Sequence, residues 1–144
     1  MINTNRRKSR ELALQTLYAC EVGKDASFAP VFESIVDEAA RSPAVSLYGR
    51  QLVEKTLEAK SEIDDLLAKH AANWDLKRMT VIDRNILRMA VAELLFFKDI
   101  PFKVVIDEAV ELAKIYGTDE SGKFVNGVVD SIHKEMCPPK EKPV

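Results

Sequence analysis

Arg6-Arg7-Lys8-Ser9-Arg10 places four cations in five residues with no acid among them. Guanidinium and ammonium groups of this kind bind phosphate through charge-assisted hydrogen bonds. The whole chain is formally −2, so with these four cations removed the remainder carries −6. A basic cluster on an acidic body points to a polyanion held at one place, not to a uniformly adhesive surface. The stretch that follows, Glu11 to Tyr18, is helix-forming and largely apolar, so the charges are mounted on the first turn of a folded helix. Cations at a helix N-terminus are unfavourable to the dipole, whereas an incoming phosphate is favoured there. A charged chain end that serves only solubility is the bland alternative.

Signals for catalysis are weak. His70 and His133 lack a partner at metal-ligand spacing and read as helix-surface residues. No GxxxxGK[ST] or GxGxxG occurs. Cys20 lies in an apolar helix with no adjacent base and reads as a buried structural thiol. Asp64-Asp65 reads as a solvated face. No nucleophile and base stand together, and nothing calls for a metal or another cofactor. Lys123-Phe124 offers a cation beside a ring on which a base can stack, worth roughly 1–3 kcal/mol. The alternative for Phe124 is the edge of the core. Gly122 leaves open space for a ligand at the start of the last helix, and Gly127 suggests a close helix approach. Arg84 and Arg88, like charges one turn apart, call for acids such as Asp83 or a partner protein.

These residues need helices to position them, and the periodicity supplies little else. The first helix runs from about Arg6 to Val22 and stops at Gly23-Lys24-Asp25. Phe28, Phe32, Ile35, Val36 and Ala39 predict a short second one. Pro43 suits the first turn of a third, which extends to about Ala71 with a bend or break near Ser61 and an end at Asn73-Trp74-Asp75. Thr80-Val81-Ile82-Asp83 matches a capping box, with the Asp83 carboxylate returning to the free amide of Thr80. The helix it opens, Val81 to Phe97, is apolar on nearly every side and belongs in the middle of a bundle. Another spans Lys103 to Tyr116, with Gly117 as a left-handed C′ residue. Ser121 caps the last. The fold class is all-α.

The totals agree. A chain of 144 residues with 47% hydrophobic and 31% charged residues fits one soluble domain over 1–137 with a disordered tail over 138–144. Two distant cysteines favour free thiols in a reducing cytoplasm, although one disulfide remains open. No apolar run reaches the roughly 18 residues of a membrane span.

Four blocks in order resemble the NusB family of bacterial transcription antitermination factors. They are Arg6 to Tyr18; Ile82 to Ala90 followed by Glu93-Leu94; Ile100-Pro101 with Ile106 to Lys114; and Tyr116-Gly117 with Ser121 to Asp130. The resemblance covers residues 6–136 but is poor over 23–45, and nothing functional is carried over there. It implies an all-helical NusB-type bundle of two packed helical subdomains. It also implies binding of single-stranded boxA RNA in ribosomal leaders, pairing with ribosomal protein NusE, and indirect recruitment to elongating RNA polymerase. The RNA-facing positions then fall on Arg6, Arg7, Lys8, Arg10, Gln15, Glu120, Lys123 and Phe124, and the NusE-facing ones on Asp83 and Arg84. Four neutralised phosphates give a salt slope near −3, at roughly −0.7 per contact on a single strand. Two rivals stand beside this reading: a helical protein adaptor that binds no RNA, and a module like the N-terminal domain of RNA cytosine methyltransferases. Helix patterns leave a homodimer open.

Overall fold

A computed structural model describes residues 4–24, 27–39, 42–71 and 79–136. The expectations for Asn73-Trp74-Asp75, Cys137 and the tail over 138–144 lie outside the described residues. Among the described residues there are seven helices and no strand: α1 (Thr4–Gly23), α2 (Ala29–Ala39), α3 (Pro43–Glu58), α4 (Lys60–His70), α5 (Val81–Phe96), α6 (Phe102–Tyr116) and α7 (Ser121–Met136). No helix among the described residues is long and apolar enough to cross a membrane. The chain divides into two compact units, Met1–Glu58 and Ala59–Val144.

In the first unit α1 packs on α3 and on α2. Its buried residues include Leu14 and Leu17 of α1, Phe32 of α2, and Leu52 and Val53 of α3. Ser9 fixes the contact between the starts of α1 and α3. Its hydroxyl is within 2.9 Å of the Asn5 carbonyl and 2.8 Å of the Val45 carbonyl, and can donate to either. Gly49 permits the approach, because a Cβ there would stand 3.1 Å from the Ser9 carbonyl oxygen. After α1 the positive φ falls on Lys24, at 56°, and not on Gly23. The long third helix breaks at Ala59, two residues before the expected place.

In the second unit α5 lies against α4, α6 and α7, and every residue from Asn85 to Leu94 is buried. An apolar circumference did mark a central helix. Its buried cation is satisfied from a neighbouring element. Arg88 makes a bidentate pair with Asp64 of α4, Nε to Oδ1 at 2.8 Å and Nη2 to Oδ2 at 2.9 Å. Asp64 is therefore not part of a solvated face, and it is the acid that Arg88 requires in place of Asp83.

His70 is likewise no surface residue. Its side chain is 11% exposed and sits between Ser131 (2.8 Å from Nδ1) and Glu135 (3.0 Å from Nε2) of α7. A carboxylate only accepts, so Nε2 donates to Glu135. Hydrogen bonding from Lys69, and secondarily from His70, holds the Glu135 carboxyl below the usual carboxylate range. His133 stacks on Phe102 with ring centroids 3.6 Å apart. Cys20 is partly exposed, not buried.

The glycines of this unit differ from their expected roles. Gly117 is extended, with φ −98° and ψ −156°, and is not left-handed. A Cβ there would lie 2.5 Å from Ser121 Oγ and 2.7 Å from the Ala113 carbonyl oxygen, so closeness and not handedness selects glycine. Gly122 is buried, and the space beside it is occupied by Lys114 and Val110 of α6 instead of standing open to a ligand. Gly127 is exposed, and a Cβ would meet nothing within 4 Å. It supports no close helix approach. Gly127→Ala should accordingly stabilise the chain by about 1 kcal/mol, the helix-propensity difference, as a rise in the urea midpoint with unchanged slope.

Candidate nucleic-acid interface

The basic arm belongs to α1 from its first turn, as the helix-forming residues after it require. The helical turn distributes its charges unequally. Arg10 lies one turn before Leu14, which is 1% exposed, and Arg10 itself is only 3% exposed. Its guanidinium lies 5.9 Å from the centroid of the buried Tyr48 ring of α3. Arg6, one further turn back, stands over the same ring at 3.9 Å. A guanidinium at that distance is held by the ring's negative face. Arg6, Arg7 and Lys8 remain part-exposed and Gln15 is exposed. The four cations are thus not equivalent. Three cations reach the surface, and Arg10 is built into the packing beneath them. Sequence reasoning missed Tyr48; its signal was an aromatic residue next to Gly49, itself a mark of close helix packing.

A second group of residues expected at the site lies at the start of α5 and α7. Thr80 caps α5, accepting the Asp83 amide on its hydroxyl at 3.1 Å. The expected return bond from the Asp83 carboxylate to Thr80 is not made. Asp83 Oδ2 instead accepts from Ser121 Oγ at 3.0 Å, while Oδ1 is buried with no hydrogen-bond partner. Ser121 is the first residue of α7, not its cap. Its hydroxyl also accepts the Thr118 amide at 2.9 Å. Around this latch is a cavity of about 180 Å³, with Asp83, Glu120 and Phe124 among its lining residues together with Met79 and Thr118. Phe124 is part-exposed, and Glu120 and Lys123 are exposed. Arg84 donates to the Met79 carbonyl at 3.1 Å and keeps some exposure. Asp83, expected to face NusE, is 9% exposed, with Oδ2 turned to Ser121 and Oδ1 unpartnered beside the cavity. Thr118 and Met79 escaped the sequence reading, since nothing local ties either to Asp83.

Among the described residues no group of His, Cys, Asp and Glu could hold a metal ion. The geometry defines, among the described residues, a helical protein with a cationic helix start backed by an aromatic ring and, in its second unit, a largely apolar cavity that Phe124 lines together with Asp83 and Glu120. Residues 7–134 match the model of the NusB family, and the chain belongs to that family. The transcription antitermination protein NusB of Chloroherpeton thalassium is 41% identical over 132 residues, covering 92% of this chain. The chain spans 63% of the length of that relative, a little under two thirds. A solved structure of Thermotoga maritima NusB superposes with a TM-score of 0.86 at 43% identity, covering 94% of each chain. A structure of the antitermination factors NusB and NusE in complex with double-stranded RNA gives 0.85 at 30% identity, covering 93% of this chain and 99% of that one.

Proposed function

We propose that the chain is a non-enzymatic, cytoplasmic transcription antitermination factor. It binds the boxA element of nascent ribosomal transcripts together with ribosomal protein NusE, and through them acts on RNA polymerase indirectly. Residues 1–137 serve as the RNA-binding module. The observation that carries the reading is the start of α1, where Ser9 is clamped to α3 and Arg6 rests on Tyr48. Arg6, Arg7 and Lys8 then present cations from a fixed helix. Such contacts supply affinity and register, not base choice. Phe124, part-exposed beside Lys123 and Glu120, supplies a face on which a base stacks. Gln15 adds a polar contact on the exposed side of α1. Arg84 serves the NusE side, Arg10 positions the arm from within, and Asp83 holds the start of α7 through Ser121. The likeness to T. maritima NusB and to the NusB–NusE–RNA complex supports the same reading.

The test is boxA affinity as a function of salt. Three surface cations give a logarithmic slope of about −2, at roughly −0.7 per phosphate, and not the −3 of four. Arg7→Ala with Lys8→Ala should bring the slope to about −0.7 while the thermal melt stays in place. A slope that ignores both substitutions would remove the arm from the RNA. Capture of NusE with and without boxA, and with single-stranded and duplex RNA, separates this function from that of an adaptor binding protein alone.

A further inference from the structure

The first unit carries a groove whose charge is opposite to that of the arm. This groove of about 480 Å³ runs between α2 and α3, its α2 side in the part of the chain where the family resemblance is poorest. Phe32, Val36 and Leu47 line it with apolar surface. Leu47 is 60% exposed, a large apolar side chain left in water on a helix whose neighbours Val45 and Tyr48 are buried. Glu33 and Asp37 also line it, one helical turn apart and both exposed. Three acids and no base lie on α2. The cation on the α3 side, Arg50, is already engaged with Glu54 at 3.7 Å and stands 5.4 Å from the Phe28 ring. The rim therefore has an excess of negative charge.

That charge decides the occupant. Nucleic acid is repelled by an acidic rim, and a neutral small molecule makes no use of it. Two acids at i and i+4 match cations spaced by one turn on a facing helix, and an apolar trough of this volume receives side chains at i, i+3 and i+4. We propose that the α2–α3 groove docks an amphipathic, cationic helical segment of a protein partner. The groove is separate from the residues assigned to RNA and does not depend on that assignment.

The test titrates three synthetic 15-residue peptides into the isotopically labelled full chain and follows amide shifts. The first has leucines at helical spacing with lysines elsewhere, the second replaces lysine by glutamate, and the third scrambles the first. The expected result is that only the first peptide shifts the signals of Val36, Leu47 and Arg50. Leu47→Asp should weaken it at least tenfold, and Glu33→Gln with Asp37→Gln should weaken it several-fold and flatten its salt dependence. Leu47→Ala serves as a second variant should the aspartate unsettle the fold. BoxA affinity should be the same in all of these variants. Equal binding by Leu47→Asp and Leu47→Ala, equal binding of the glutamate or scrambled peptide, or shifts centred elsewhere would overturn the proposal. So would a wild-type dimer that Leu47→Asp turns into a monomer, since a second copy would then fill the groove.

Discussion

Asp64→Ala lowers the stability of the chain by about 3 kcal/mol, at the lower end of what breaking a buried ion pair costs. The reason is the asymmetry of the pair. The Arg88 side chain is 8% exposed and that of Asp64 23%, so removing the acid strips a buried guanidinium of its bidentate counter-charge. Asn85 Oδ1, 3.3 Å from Nη1, cannot replace a carboxylate. Arg88→Ala costs less from charge, because the remaining carboxylate keeps access to water, but adds a packing defect on a helix buried over its middle ten residues. Urea unfolding followed by circular dichroism checks both. The informative control is Asp64→Leu with Arg88→Met, which should recover most of the loss. A double variant as unstable as Asp64→Ala would mean that the pair itself, and not the exposed imbalance, holds α4 to α5.

Gly117→Ala is expected to cost about 2–3 kcal/mol, the upper part of the roughly 1–3 kcal/mol range for forcing a methyl into a filled site. Two of the three atoms it would strike are Ser121 Oγ and Cβ, and the third is a backbone oxygen that already accepts the Gly117 amide at 2.9 Å. None is the far end of a flexible chain. Relief requires the start of α7 to move, which opens the Ser121–Asp83 bond and displaces Phe124. Gly117→Ala should therefore lower both the melting temperature and the proposed RNA affinity. A variant with normal melting and normal binding would show that the latch yields freely.

The all-α class and the central position of α5 were legible because both rest on periodicity, a property of single segments. The break between α3 and α4 was seen within two residues for the same reason. Half of the capping box was legible as well, since Thr80 and the amide of Asp83 are local. The other half was not. The carboxylate of Asp83 found a better donor in Ser121, 38 residues on, and no local rule weighs that competition. Arg88 and Asp64, 24 residues apart, were misread for the same reason. Gly117 was identified as necessary but for the wrong cause, because chain-end statistics speak of handedness and say nothing of a hydroxyl one turn later. Arg10 could have been read correctly: it shares the buried face of Leu14, and only the attraction of the charge cluster argued otherwise.

The Arg6–Tyr48 contact bears on how quickly and how cheaply a ligand is captured. A guanidinium seated on a ring has already surrendered part of its water shell and most of its torsional freedom. An untethered polybasic tail would surrender both only on meeting the ligand, at about 0.5–1.5 kcal/mol for each side chain immobilised. On the proposed RNA-binding function Tyr48 is a holster, and its loss would show first as faster dissociation, in a protein whose formal charge had not changed at all.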